Sequence, residues 1–285
     1  LWSSGRNSVA RHVPANSICE FDEASAQAAP SPQSSTVTPQ PLFQDVSPLL
    51  SHVHHEVLFN DYTRQPLLMK QLSQLGPGVA WLDLDADGRD ELVLGTGRGG
   101  MLAIYHWNTS GAFEKIPASD FGPTPDDLGG MAAWVTAEGR PALLAALANY
   151  ESEATNSAAV IQISVDETPA KFRLATRQDV PSARASPGPL AVADSDGDGH
   201  LELFVGGRLI PGAYPQAASS KLFRRDGNKL VPDTANNRVL ENAGLVSGAV
   251  WSDLDGGGYP ELVLACEWGP VRVFKNERGR LREST

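Results

Sequence analysis

The stretch Ala80-Trp-Leu-Asp-Leu-Asp-Ala-Asp-Gly-Arg-Asp-Glu-Leu-Val-Leu-Gly95 recurs without a gap as Ala191-Val-Ala-Asp-Ser-Asp-Gly-Asp-Gly-His-Leu-Glu-Leu-Phe-Val-Gly206. A third copy runs Val250-Trp-Ser-Asp-Leu-Asp-Gly-Gly-Gly-Tyr-Pro-Glu-Leu-Val-Leu-Ala265. A fourth, Ala133-Trp-Val-Thr-Ala-Glu-Gly-Arg-Pro-Ala-Leu-Leu-Ala145, is shorter and stripped of its aspartates. Each copy has one glycine in common, at Gly88, Gly139, Gly199 and Gly258, a recurrence of roughly 50–60 residues that suits stacked supersecondary units. The three full copies open and close on a short apolar run split by an Asp/Gly cluster, which reads as two strands joined by a tight loop.

A second motif follows the loops. Lys221-Leu-Phe-Arg-Arg-Asp-Gly-Asn-Lys-Leu-Val-Pro-Asp-Thr234 reads as a hairpin turning at Asp226-Gly227. Val271 to Thr285 repeats it, and Leu102 to Lys115 is a looser version. Strand, Asp loop, strand and hairpin make four strands, the content of one propeller blade. The expected fold is therefore all-β, a β-propeller with about four four-stranded blades over residues 42–285. Pro41 to Ser47 resembles the last strand of such a hairpin. Pro141 to Asn149 is the one run that passes locally for a helix.

Counted from Asp83, carboxylates fall at positions one, three, five and nine: Asp83, Asp85, Asp87 and Glu91. Asp194, Asp196, Asp198 and Glu202 occupy the same places in the second full loop. Calcium takes six to eight oxygens at about 2.3–2.6 Å, and alternate residues of a curled loop can supply them. The glycine permits the sharp turn, and the seventh residue offers its backbone carbonyl whatever its side chain. Arg89, His200 and Tyr259 at that position are thus compatible with a metal site. An EF-hand would need a bidentate Glu at position twelve and flanking helices; here Leu94 and Val205 stand there, between strand-like runs. The bland alternative is a solvated Asp/Gly turn, which two ungapped copies with matching ligands disfavour. In the third loop Asp253, Asp255 and Glu261 remain but Gly257 replaces the fifth carboxylate, so weaker binding or none is expected. The loop near Glu138 should bind nothing.

These residues resemble the FG-GAP/VCBS repeat family, the blade repeat also found in the integrin α-subunit propeller. The likeness spans roughly residues 76–285 and rests on D-x-D-x-D-G-x-x-E followed by L-x-x-G. Leu72 to Gly78, Gly206 to Pro215 and Glu267 to Phe274 look like bacterial secreted repeat proteins that often carry a C-terminal ASPIC/UnbV domain, which is not visible here. The resemblance implies structural calcium at one rim of a propeller, usually seven-bladed, on a secreted, cell-surface or periplasmic protein. Only four repeats are seen, so either the remaining blades lie outside this fragment of a longer protein or the ring is incomplete. The opening at Leu1 and the strand-like ending at Thr285 fit the expectation of a fragment.

Residues 1–41 are rich in Ser, Ala, Pro and Gln, and Ala24 to Pro41 has few large apolar residues to offset ordering entropy. This segment is expected to be a disordered linker. The net charge of −11 argues against nucleic acid, which needs clustered Lys and Arg. No apolar run is long enough for a membrane span. Cys19 and Cys266 lie in unlike contexts and do not suggest a disulfide. Ile18 argues against Cys19 being lipidated. Cys266 is expected as a buried free thiol.

Several other features are candidates. His52, His54, His55 and Glu56 form a dense cluster that could ligate a transition metal, though with no familiar spacing. Trp81, Trp134 and Trp251 recur at one repeat position and are read as packing between blades. Asn108-Thr-Ser110 is a glycosylation sequon. Tyr214 sits in a long insert after Gly206-Gly207, the preferred place for a ligand contact. Three functions compete: a calcium-stabilised adhesion module binding protein or glycan, a propeller-scaffold enzyme acting on polysaccharide, and a scaffold for an active domain elsewhere. No catalytic constellation is evident.

Overall fold

The computed structural model describes residues 2–14, 18–28, 42–117, 121–154, 158–166, 173–181, 184–227 and 229–284. The chain forms two units, Leu1–Asp45 and Val46–Thr285. In the first, β1 (Arg6–Asn7) pairs antiparallel with β2 (Gln27–Ala28). A 3-10 turn at Glu23–Ser25 lies between them, with the Asp22 side chain accepting the Ala24 N–H at 2.9 Å. The linker expected over residues 1–41 falls partly on residues 29–41, which lie outside the described ones.

The second unit is built from four four-stranded antiparallel sheets, each with its strands in chain order. The first holds β3 (Val79–Leu82), β4 (Glu91–Leu94), β5 (Ala103–Trp107) and β6 (Phe113–Ile116). The second holds β7 (Asp127–Val135), β8 (Pro141–Ala148), β9 (Ala158–Asp166) and β10 (Arg173–Pro181). In the third are β11 (Ser186–Ala193), β12 (Glu202–Leu209), β13 (Lys221–Asp226) and β14 (Lys229–Pro232). The fourth has β15 (Leu245–Ser252), β16 (Glu261–Glu267), β17 (Arg272–Asn276) and β18 (Leu281–Glu283). Contacts link the leading strands of successive sheets, β3 to β7, β7 to β11 and β11 to β15. Pro41–Ser47 forms no strand among its described residues, and Ser47–Leu49 is a 3-10 turn.

The core lies between the sheets. Leu82, Val93 and Ile104 of the first sheet meet Leu143, Leu147 and Ile163 of the second. Ala142, Leu144 and Val160 of the second meet Leu190, Leu203 and Phe223 of the third. Phe204 and Leu222 of the third meet Leu262, Leu264 and Phe274 of the fourth. This explains β8. Its Pro-Ala-Leu-Leu-Ala-Ala-Leu-Ala run has no polar face because Leu143, Ala145 and Leu147 pack one way and Ala142, Leu144 and Ala146 the other. A strand covered on both faces is apolar throughout and mimics a buried helix in sequence. Fully burying each leucine is worth roughly 2 kcal/mol.

The three tryptophans do not share one position. Trp81 pairs with Leu92 and Trp251 with Leu262, which are equivalent. In the second sheet the residue opposite Leu143, the counterpart of Leu92, is Ala133, and Trp134 sits one step further along, opposite Ala142. The shorter β7–β8 turn causes the offset, and a one-residue shift turns a strand residue to the other face. Trp134 is consequently buried between the second and third sheets, under the Arg225 guanidinium at 4.7 Å. Trp251 packs toward the third sheet. Trp81 lies on the side of the first sheet away from the second and is 54% exposed.

Two segments wrap these sheets. In one, α1 (Asp61–Arg64) carries the fully buried Asp61, which accepts the Leu72 and Ser73 N–H groups and the Ser73 hydroxyl at 2.6–2.9 Å. In the other, after β14, α2 (Thr234–Val239) is capped by the Asp233 carboxylate.

Candidate metal centres

The three Asp-rich loops each join the first strand of a sheet to the second. Their turns share one construction. Gly88, Gly199 and Gly258 have φ of +86°, +87° and +79°, the left-handed region that favours glycine. The position-one carboxylate accepts that glycine's N–H at 2.9 Å from Asp83, 2.9 Å from Asp194 and 3.0 Å from Asp253. The position-three carboxylate accepts the N–H two residues on: Asp85 from Asp87, Asp196 from Asp198, Asp255 from Gly257.

Position nine closes the loop. Glu91, Glu202 and Glu261 open β4, β12 and β16 and are only 2–3% exposed. Each directs Oε2 to the N–H of the second loop residue, Leu84 at 2.8 Å, Ser195 at 2.7 Å and Leu254 at 2.8 Å. Ser195 adds its hydroxyl to Glu202 at 2.7 Å. Anchored this way, the buried glutamate faces its two aspartates.

In all three loops the carboxylates at positions one, three and nine each bring an oxygen within 4.8 Å of the others: Asp83, Asp85 and Glu91; Asp194, Asp196 and Glu202; Asp253, Asp255 and Glu261. Position five is not in the trio. Asp87 and Asp198 instead accept the N–H groups of Arg89 and His200 at 2.9 and 2.8 Å. The ground for ranking the Asp253 loop below the others, its Gly257, therefore touches a position that the other two loops do not bring into the trio. Arg89 and His200 are exposed, and the Tyr259 ring lies against Gly197 of the neighbouring loop. The turn expected to bind nothing is a tight hairpin in which the Thr136 N–H donates to the Arg140 carbonyl, the Gly139 N–H to the Thr136 carbonyl and the Arg140 N–H to the Thr136 hydroxyl oxygen.

The electrostatics follow from crowding acids together. Burial, reinforced by the charges of Asp85, Asp87 and Asp83, pushes Glu91 up to about 7. Burial also raises Glu202, against the two hydrogen bonds from Ser195. Burial and the Asp87 charge raise Asp85. An all-oxygen, net negative donor set of this kind fits a hard divalent cation and not a soft one. The residues present therefore fit calcium.

The other sequence candidates are redistributed. Of the histidine cluster, His52 Nδ1 lies 3.1 Å from the Tyr105 hydroxyl, and His54 Nε2 lies 3.0 Å from Glu56 Oε2. The histidines do not converge. Glu56 instead joins Asp127 and Glu151, with oxygens of all three within 4.8 Å of one another, beside Arg98. Burial and the Asp127 charge push Glu151 up to about 7, against Arg98. Spacing could not reveal this group, because its members come from a wrapping segment, the start of β7 and the turn after β8.

Tyr214 is 8% exposed and belongs to a core cluster with Leu68, Leu72 and Leu245, so its side chain is structural and not a loop-borne contact. Its hydroxyl donates to Glu267 Oε1 at 2.6 Å and accepts from the Trp268 indole. Lys70 and Arg208 reach the same carboxylate at 2.7 Å each. Cys19 is exposed and Cys266 half-buried, both free, with burial raising the Cys266 thiol. The Asn108 carboxamide is engaged within its own turn, accepting from Ser110 and Ala112.

No family model matches the chain, and no curated protein matches it. Among solved structures, one described as "Crystal structure of a thermostable family-43 glycoside hydrolase" is similar over 73% of each chain, with 10% identity and a TM-score of 0.45. A likeness of that depth is no guide to what this chain does.

Proposed function

We propose that the four sheets are blades of a β-propeller stabilised by calcium, and that the protein serves outside the cytoplasm as an adhesion or interaction module for protein or glycan. One observation carries the reading: three loops at equivalent places gather the same three carboxylates. A single acidic turn is commonplace, whereas repetition with a buried, anchored glutamate calls for a shared counter-ion. The ion's work is to hold first and second strands together at one rim. Loops whose aspartates are half-buried or exposed suit weak sites, which fill where calcium is near-millimolar, as outside cells.

The wrapping segment supports the interaction role. It presents Leu58, Leu67, Met69 and Leu75 at 50–95% exposure, and Trp268 is 66% exposed. Exposed apolar side chains in such number favour a binding surface. No helix among the described residues is long and apolar enough to cross a membrane.

The test is thermal melting with calcium and with excess EGTA, repeated on a variant carrying Asp85→Asn and Asp196→Asn. Ligand at a hundredfold excess over Kd adds about 2.7 kcal/mol per site. The wild type should melt lower in EGTA and the variant should respond much less. A wild-type melting temperature indifferent to chelation overturns the metal reading.

A second reading, an enzyme acting on polysaccharide, draws on a cavity of about 240 Å³ lined by Asp127, Tyr150, Ser186, Arg208 and Ser247 among others. Convergent polar groups in a pocket suit a ligand. Release of reducing ends from a polysaccharide panel, lost in Asp127→Asn, would favour it.

A further inference from the structure

Asp127 opens β7 at the end opposite the β7–β8 turn, and Glu151 follows β8 at that same end. Glu56 arrives from the wrapping segment, where Gly97 accepts it closely: a Cβ on Gly97 would fall 2.3 Å from Glu56 Oε1. The Gly97 N–H donates to the His55 carbonyl at 3.1 Å and fixes that approach. The cluster thus sits at the far end of the sheets from the Asp-rich loops.

Asp127 is 7% and Glu151 6% exposed. Asp127 Oδ1 accepts the Arg98 N–H at 2.8 Å, and Glu56 Oε2 meets His54. The remaining oxygens are poorly provided. Glu56 Oε1 and both oxygens of Glu151 are buried without a hydrogen-bond donor. Arg98 Nε stands 3.4 Å from Glu151 Oε2, an ion-pair contact without hydrogen-bond alignment. Buried carboxylate oxygens left this way cost several kcal/mol unless a cation or proton meets them. A water could donate to two oxygens but brings no charge. Three acceptor-only groups converging from three segments, against one guanidinium, describe the coordination sphere of a hard cation.

We propose that Glu56, Asp127 and Glu151 form a further cation site, for a hard divalent ion of the calcium class, separate from the Asp-rich loops. It ties the wrapping segment to the second sheet, so occupancy also fixes the exposed residues of that segment. The inference does not rest on the loop sites being filled.

Calcium equivalents bound would be counted by equilibrium dialysis for the wild type, for Glu151→Gln, and for the Asp85→Asn/Asp196→Asn loop variant. Glu151→Gln should bind one equivalent fewer than the wild type, and the loop variant should keep that equivalent. If the loops bind nothing, the loop variant matches the wild type while Glu151→Gln still loses its ion, so the two readings fail separately. Should Glu151→Gln not fold, Glu56→Gln at the edge of the cluster is scored instead. An unchanged count and affinity in the folded variant overturns the site.

Discussion

Arg224 on β13 pairs with Asp196 in the Asp-rich loop of its own sheet and, through Nε at 3.4 Å, with Asp233 at the head of α2. Phe223 is opposite Leu203, as Tyr105 is opposite Leu92 and Phe274 opposite Leu262. Arg224, His106 and Lys275 therefore share one repeat position, and Arg224 and His106 stand beside the acidic loops of their own sheets. In the free protein the Arg224 guanidinium relieves the crowded carboxylates of its loop. With calcium bound it opposes a second positive charge.

Arg224→Gln should then tighten calcium at the Asp194 loop by up to about fivefold, the worth of roughly 1 kcal/mol at a partly exposed pair. The same change should lower the melting temperature in EGTA, because Asp196 and Asp233 lose their partner. Calcium titration and melting of the two proteins check both signs. Equal affinities would mean that Arg224 swings away when the ion binds.

Ala86 sits at position four with φ of +61°, where the other loops have Gly197 at +78° and Gly256 at +74°. A left-handed alanine costs roughly 1–2 kcal/mol, part of which glycine's greater freedom in the unfolded chain offsets. Ala86→Gly should stabilise the protein by up to about 1 kcal/mol, read as a higher urea midpoint at unchanged slope.

The three Asp loops and the hairpins that follow them were legible because both are local: spacing within a few residues sets a turn, and alternation sets a strand. The offset of Trp134 was not, since a sequence alignment anchored on Gly139 hides which residues face each other across a shortened turn. Nor was the burial of Tyr214, which depends on Glu267, Lys70 and Arg208 arriving from three distant segments. The grouping of Glu56 with Asp127 and Glu151 was equally invisible, since stacking of the first two sheets and the path of the wrapping segment create it.

Glu267 offers a test in acid. Burial alone would raise its carboxyl, but hydrogen bonds from Lys70, Tyr214 and Arg208 outweigh burial and hold it down to about 2. A carboxyl depressed on folding adds stability above its unfolded pKa, and that stability disappears as pH falls through the folded value. The contribution should be whole above about pH 4.5 and drain away toward pH 2. Urea midpoints of wild type and Glu267→Gln, compared between pH 6 and pH 3, should converge as the solution is acidified.

Glu91 behaves in the opposite sense. Its pKa of about 7 in the folded chain lies above the ordinary 4.5, chiefly through burial, so the folded state holds a proton that the unfolded state has released. Between those values the folded form binds more protons, and stability must fall as pH rises. In EGTA this group should destabilise the protein progressively from pH 4.5 to 7, by roughly 3 kcal/mol at most. Calcium should reverse the slope, because a bound ion would take the deprotonated carboxylate in competition with the proton. Affinity at the Asp83 loop should weaken up to about tenfold per pH unit below 7. Glu91→Gln keeps the buried shape without the titration, so both slopes should flatten at that loop. Calcium titrations at pH 7.5 and 5.5, each paired with a melt in EGTA, decide it: parallel behaviour of wild type and variant would remove Glu91 from the metal centre.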